Sequence, residues 1–310
     1  MISDELLDVL RRAVAVFEIL QLPICIPFYV ALIWIFATKP DFKNVIAYKI
    51  LINMCIMDCL YLTQSFMDGV FRLSGGKPNR HLGSFLSSTR CSYLQSVPFL
   101  TLVLASHRSL VMFRIDRPVL QKTICLAAVF ICWLLLFPAP LIFDYSSLEI
   151  GFFLDQDGYG YYGPEPFLIV MGYLGPSFQA GAFLCYMCIL GNVLIKKYVY
   201  GSAFKVSAMD IRLLVQAFLI SVPLAVVIVC GLVLCEEFSE LPWFYIGWSC
   251  LAALIPAINL VVHIAFNPLV RSHIWNVCSS KRTTASAVIV KSTKIYVTPV
   301  QTFSECKDKR

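Results

Sequence analysis

Asp58, Arg90 and Arg108 are ionisable side chains set within, or at the edge of, long apolar runs. Such a charge at the centre of a bilayer costs about 3 kcal/mol on insertion scales, so each residue needs water, a partner or a function. Asp58 stands mid-run in NMCIMDCLYL, where it either serves function directly or hydrogen-bonds to a neighbouring helix. Arg90 lies a short way inside its run. A guanidinium there offers a planar fork to a carboxylate or carbonyl of a bound molecule. It can instead pair with a loop carboxylate such as Asp155 or Asp157, or keep its stem in the run and its head at the interface. In LASHRSLVMFR the greasy stretch ends in His107 and Arg108, and Arg114 follows, which marks the edge of a membrane.

The elements that position these residues follow from composition. Hydrophobic residues make up 59% of the 310 and charged ones 14%, against about 25% charged in an ordinary soluble domain. A membrane-spanning helix needs ~20 mainly apolar residues, and seven stretches qualify: 14–37, 46–70, 82–107, 119–143, 166–195, 211–235 and 242–266. The expected fold is an all-α integral membrane bundle of seven transmembrane helices, with an extracellular N-terminus over 1–13. A short amphipathic cytoplasmic helix and a tail occupy 267–310, where Ile274, Trp275 and Val277 offer an apolar face to the inner leaflet. The acidic start lacks the order of a signal peptide, so the first helix is expected to act as its own anchor.

Basic residues set the orientation. With the N-terminus outside, six lysines and arginines fall on the outer side (Arg11, Arg12, Arg72, Lys77, Arg80 and Arg90) and nineteen on the inner side. The later outer segments 144–165 and 236–241 hold eight carboxylates and no basic residue. Most of the thirteen cysteines lie in apolar spans and read as small hydrophobes. Pro98, Pro176, Pro223 and Pro256 each remove a backbone hydrogen bond from a different span, which suits a bundle with a central cavity.

The order of these landmarks resembles the rhodopsin-like G-protein-coupled receptors. Asn53 and Asp58 match the asparagine and aspartate of that family's second helix. SHRSLVMF is similar to its D-R-Y region, with Arg108 in the arginine's place, and Trp133, Pro176 and Pro223 stand at its fourth-, fifth- and sixth-helix positions. NLVVHIAFNPLVR is similar to the N-P-x-x-Y motif and the helix after it, with Asn259, His263 in place of tyrosine, and Arg271. IRLLVQAFLIS and FNPLVR resemble more particularly the nematode serpentine chemoreceptors of classes T or X.

The resemblance implies a chemosensory receptor for a small molecule or peptide, signalling through a heterotrimeric G protein from the cell membrane, with a sensory cilium as one such membrane. It assigns coupling and activation to Asp58, His107, Arg108, Asn259 and His263. Arg90 matches a position that lines the ligand pocket, and Tyr173, Gln179, Tyr245, Trp248 and Ser249 lie high enough in the fifth and seventh spans to complete it. Several features depart from the pattern. His107 replaces the acid that would pair with the arginine, no tryptophan precedes Pro223, and 144–165 has no cysteine for the family's disulfide. No lysine occurs in 242–266, which excludes a retinal Schiff base.

No metal-binding or phosphate-binding motif and no paired carboxylates on one helix occur, so the expectation is a protein without catalytic activity, cofactor, metal or nucleic-acid partner. The alternative is a small polytopic transporter, against which the absence of visible repeat halves counts. Cys278, beside Lys281 and Arg282, is a candidate for palmitoylation against membrane lipid. Thr283, Thr284, Ser286, Ser292 and Thr293 are candidates for phosphorylation.

Overall fold

In lipid a backbone has no water to bond to, so the apolar runs must close their hydrogen bonds within helices. The computed structural model of the chain describes residues 4–75, 78–113, 118–144, 150–154, 159–200, 208–238 and 241–278. Helix α1 (Asp4–Thr38) runs through Pro23 and Pro27 without a break and begins well before the expected boundary at residue 14. A single turn, α2 (Pro40–Lys43), leads into α3 (Ile46–Ser74), which ends at Gly75 with φ +64°, a left-handed conformation that glycine adopts without steric cost. Asn79 caps α4 (Arg80–Met112) by accepting a bond from the His81 N–H.

The fourth apolar stretch is built from α5 (Pro118–Ile131), a π-helical turn at Cys132–Leu136 and a short α6 (Ala139–Asp144). Pro138 has no N–H to donate, and the helix widens just before it, with Phe137 N–H bonding back to the Cys132 carbonyl. The carbonyl of Phe137 accepts from Ser92 on α4 at 2.6 Å. Three long helices follow: α7 (Glu165–Tyr200), α8 (Ala208–Phe238) and α9 (Pro242–Phe266). The expected amphipathic helix is present as α10 (Pro268–Cys278). The interior prolines sit within α4, α7, α8 and α9.

Among the described residues, five helices are long and apolar enough to cross a membrane, not seven: they lie in α1, α3, α7, α8 and α9. The expected spans 82–107 and 119–143 are helical, yet each falls short for a physical reason. Helix α4 is long but polar, and it can be so because twenty of its 33 residues are buried by neighbouring helices. Helix α5 with its π turn is apolar but short. The outer faces of the peripheral helices carry large apolar side chains, with Phe130, Leu184 and Ile195 each about two-thirds exposed. Water does not stabilise so continuous an apolar surface, whereas lipid does. The chain is a multi-helix bundle with the character of a multi-pass membrane protein.

The sequence reading contained no strand, but residues Gly151–Leu154 (β1) and Tyr159–Tyr162 (β2) pair as an antiparallel hairpin over one end of α4. Ile150, just before β1, is buried against Cys91 and Met171. Helices α1 and α3 approach closely at Gly69, where a side chain would meet the Ala15 carbonyl at 2.6 Å.

Candidate functional site

Two polar clusters occupy the apolar interior. The first surrounds Asp58, which is buried on α3. Tyr93 on α4 donates to its Oδ1 at 2.7 Å, and Tyr29 on α1 reaches its Oδ2 at 2.8 Å. Asn259 on α9 donates to the same carboxyl at 3.2 and 3.4 Å. Tyr29 also lies 2.6 Å from the carbonyl of Pro256, so one phenolic proton serves two acceptors. Four helices therefore meet on one carboxyl. Nearby, Trp133 donates to Asn53 Oδ1 at 2.8 Å, tying the π-helical turn to α3.

Toward the end that carries α10, the polar contacts continue. His263, almost fully buried, has its Nδ1 2.8 Å from Gln216 on α8 and its ring edge-on to Phe36 on α1. Asn267 donates to the Tyr48 hydroxyl and its side-chain oxygen accepts from Val270 N–H, which fixes the start of α10. Arg271 bonds back to the Ala265 carbonyl across the break between α9 and α10. His107 and Arg108 are both buried at the end of α4.

The second cluster lies toward the opposite end of the bundle. Arg90, fully buried on α4, holds Nη1 at 3.5 Å from Asp68 Oδ2 and Nη2 at 3.5 Å from the Ser249 carbonyl on α9. Its guanidinium lies over the Tyr61 ring at 5.6 Å. Gln64 donates to Asp68 one helical turn away. Arg72, also on α3, places Nη1 at 3.8 Å from Glu18 Oε2 on α1, and neither side chain has appreciable exposure. Tyr61 packs on Tyr93 with ring centroids 4.2 Å apart, so the two clusters touch.

The expected ligand residues divide. Arg90 and Ser249 meet, and the full burial of Arg90 leaves it no route to the interface. Gln179 is buried but donates to the Ser221 carbonyl on α8. Trp248 is half-buried and donates to the Val227 carbonyl. Tyr173 is 59% exposed on α7, so its side chain does not belong to an interior pocket. The side chains of Tyr245 and Cys278, and the whole of Asp155, Asp157, Arg114 and the phosphorylation candidates, lie outside the described residues. Among the described residues no group of three or more metal-ligating side chains occurs.

Sequence reasoning missed Glu18, Asp68 and the tyrosines. Glu18 and Asp68 stand inside the spans 14–37 and 46–70 and meet the criterion that singled out Asp58, and Asp68 puts a second buried carboxylate on α3, against the expectation of no paired carboxylates on one helix. Arg72 was expected in an outer loop, and the extension of α3 to Ser74 instead brings it into the bundle. No family model matches the chain, and no curated protein matches it either.

Proposed function

We propose that the chain is a seven-helix G-protein-coupled receptor for a small molecule, of chemosensory type, with its N-terminus outside and α10 on the inner leaflet. On this reading α4 and the α5–α6 segment cross the membrane with the five apolar helices, α4 being shielded from lipid by its neighbours. The observation that carries the reading is the contact of Asp58 with Asn259. These two residues, 201 positions apart, are both among those to which the resemblance assigns activation. The Asn53–Trp133 bond supports it in the same way. Arg108 then stands at the inner mouth, where a guanidinium can bond carbonyls at the C-terminus of a G-protein helix.

Arg108→Ala tests this reading in cells expressing the receptor with a panel of G proteins. Signalling, basal or ligand-driven, should fall while surface delivery persists, and unchanged signalling would remove the coupling role. Epitopes fused at the two ends test the orientation, since only the C-terminal one should need permeabilisation to be stained. A transporter is the second reading, favoured by the buried carboxylates and guanidiniums of the Asp68 cluster, because ionisable groups inside membranes also mark ion and proton paths. Proton-coupled uptake by proteoliposomes, abolished by Asp68→Asn, would favour it over the receptor.

A further inference from the structure

The Asp68 cluster opens toward a cavity that the receptor reading does not use. It measures about 310 Å³ and is lined by Asp8, Arg11 and Arg12 of α1 and by Arg72, Leu73 and Gly75 at the end of α3. That volume suits a small polar solute or one lipid headgroup. Three arginines border it against one acidic residue, with the Arg72 nitrogens covered while they face Glu18, and Asp8 already bridges Arg12 at 2.8 Å on the exposed rim. The negative end of the α3 dipole opposes an anion here, and the three arginines outweigh that partial charge.

Arg72 carries the argument. Its side chain is only 4% exposed, yet none of its guanidinium nitrogens has a hydrogen-bond partner. Its carboxylate neighbour, Glu18, is 3.8 Å away, beyond hydrogen-bond reach, and both Glu18 oxygens also lack donors. A buried ion pair is stable only when hydrogen bonds satisfy its remaining donors and acceptors, and this one leaves them open. An oxyanion in the cavity would give the Arg72 fork a matched, bidentate partner.

We propose that this cavity binds an oxyanion, the carboxylate or phosphate of a small solute or of a lipid headgroup, and that Arg72 turns from Glu18 to hold it. The arginines of the rim draw the anion in, and Glu18 is its internal competitor. The site requires no G protein and no bundle-centre ligand, so it stands or falls apart from the receptor reading.

The test uses the purified full chain in neutral detergent micelles. Thermal unfolding is followed against sodium phosphate and sodium succinate, with sodium chloride holding ionic strength constant. A saturable rise in Tm is expected with one of them. Glu18→Gln removes the competitor and should tighten the anion's apparent affinity by roughly tenfold, while Arg72→Gln should abolish the response. Should neither solute act, the same titration is read in nanodiscs, where phosphatidylglycerol but not phosphatidylcholine should stabilise the chain, again through Arg72. That result identifies the lipid phosphate as the source. If Arg72→Gln does not fold, Glu18→Gln decides. An affinity equal to that of the parent overturns the proposal, as does the absence of any response to phosphate, succinate or anionic lipid.

Discussion

The Asp58 and Asp68 clusters sit on the same helix, in the same apolar interior, and solve the burial of a carboxyl in opposite ways. Asp58 is held by neutral donors, two phenols and an amide from three other helices, the phenols at 2.7 and 2.8 Å. Asp68 and Glu18 are met by guanidiniums at 3.5 and 3.8 Å, and Glu18 Oε1 and Oε2, Asp68 Oδ1 and both polar atoms of Gln21 have no hydrogen-bond partner. A satisfied network fixes one arrangement of the helices around it, and a half-satisfied one has partners to exchange. The Asp58 cluster thus behaves as a clamp and the Asp68 cluster as a site.

The strongest test of that contrast is Asp58→Ala. It strands Tyr93 and Asn259 at once and leaves Tyr29 only the Pro256 carbonyl, and should lower unfolding stability by about 2–4 kcal/mol, given ~1 kcal/mol per interhelical bond and the cost of unpaired donors. Thermal unfolding in micelles measures it. A smaller loss than that from Asp68→Ala would reverse the assignment of clamp and site. Gly69→Ala probes the Asp68 cluster alone. The added methyl would lie 2.6 Å from the Ala15 carbonyl and 2.9 Å from Ile19, forcing α1 off α3 beside Glu18. A loss of about 1–3 kcal/mol is expected from the overpacking, together with loss of the anion response, while signalling through the Asp58 cluster survives.

How much of this was legible depends on what periodicity and composition carry. The helices were legible because apolar runs of sufficient length have no other fold in lipid, and α10 because NPLVRSHIW starts with a turn signal and then an amphipathic pattern. The partners of a buried charge were not legible, because they depend on how each helix is rotated about its axis. Tyr29 and Tyr93 look in sequence like any interfacial aromatic, and Tyr173 looks like a pocket residue although it faces outward. The strand pair had a sequence signal in the Asp-Gly dipeptide of DQDG between aromatic residues, which the weight of the apolar spans obscured.

Trp133→Phe should cost less than either change above. It removes the N–H that Asn53 accepts at 2.8 Å and one ring of the indole, while a phenyl ring remains to pack on Phe137. About 0.5–1.5 kcal/mol is the ordinary value of such a bond. Differential unfolding of the pair Trp133→Phe and Asn53→Ala, singly and together, checks it. Strict additivity would mean that the bond contributes nothing and that the π-helical turn is held by packing alone.

The smallest effect is expected from Arg90→Lys, and it bears most directly on the difference between the clusters. Arg90 reaches Asp68 and the Ser249 carbonyl with separate nitrogens, each at 3.5 Å, so its fork does not grip Asp68 in paired fashion. A lysine keeps the charge that Asp68 requires and gives up the second reach. The expected loss is about 0.5–1 kcal/mol, the lower part of the range for a single hydrogen bond, because the charge is kept. Tyr93→Phe keeps every charge and removes one hydroxyl at 2.7 Å from Asp58, and should cost more, about 1 kcal/mol or above. That order is the signature of a clamp made by hydrogen bonds beside a site made by charge. If Arg90→Lys proves the costlier of the two, the guanidinium shape matters at the Asp68 cluster. Arg90 then belongs to a fixed network, and Arg72 alone remains as the movable partner of an anion.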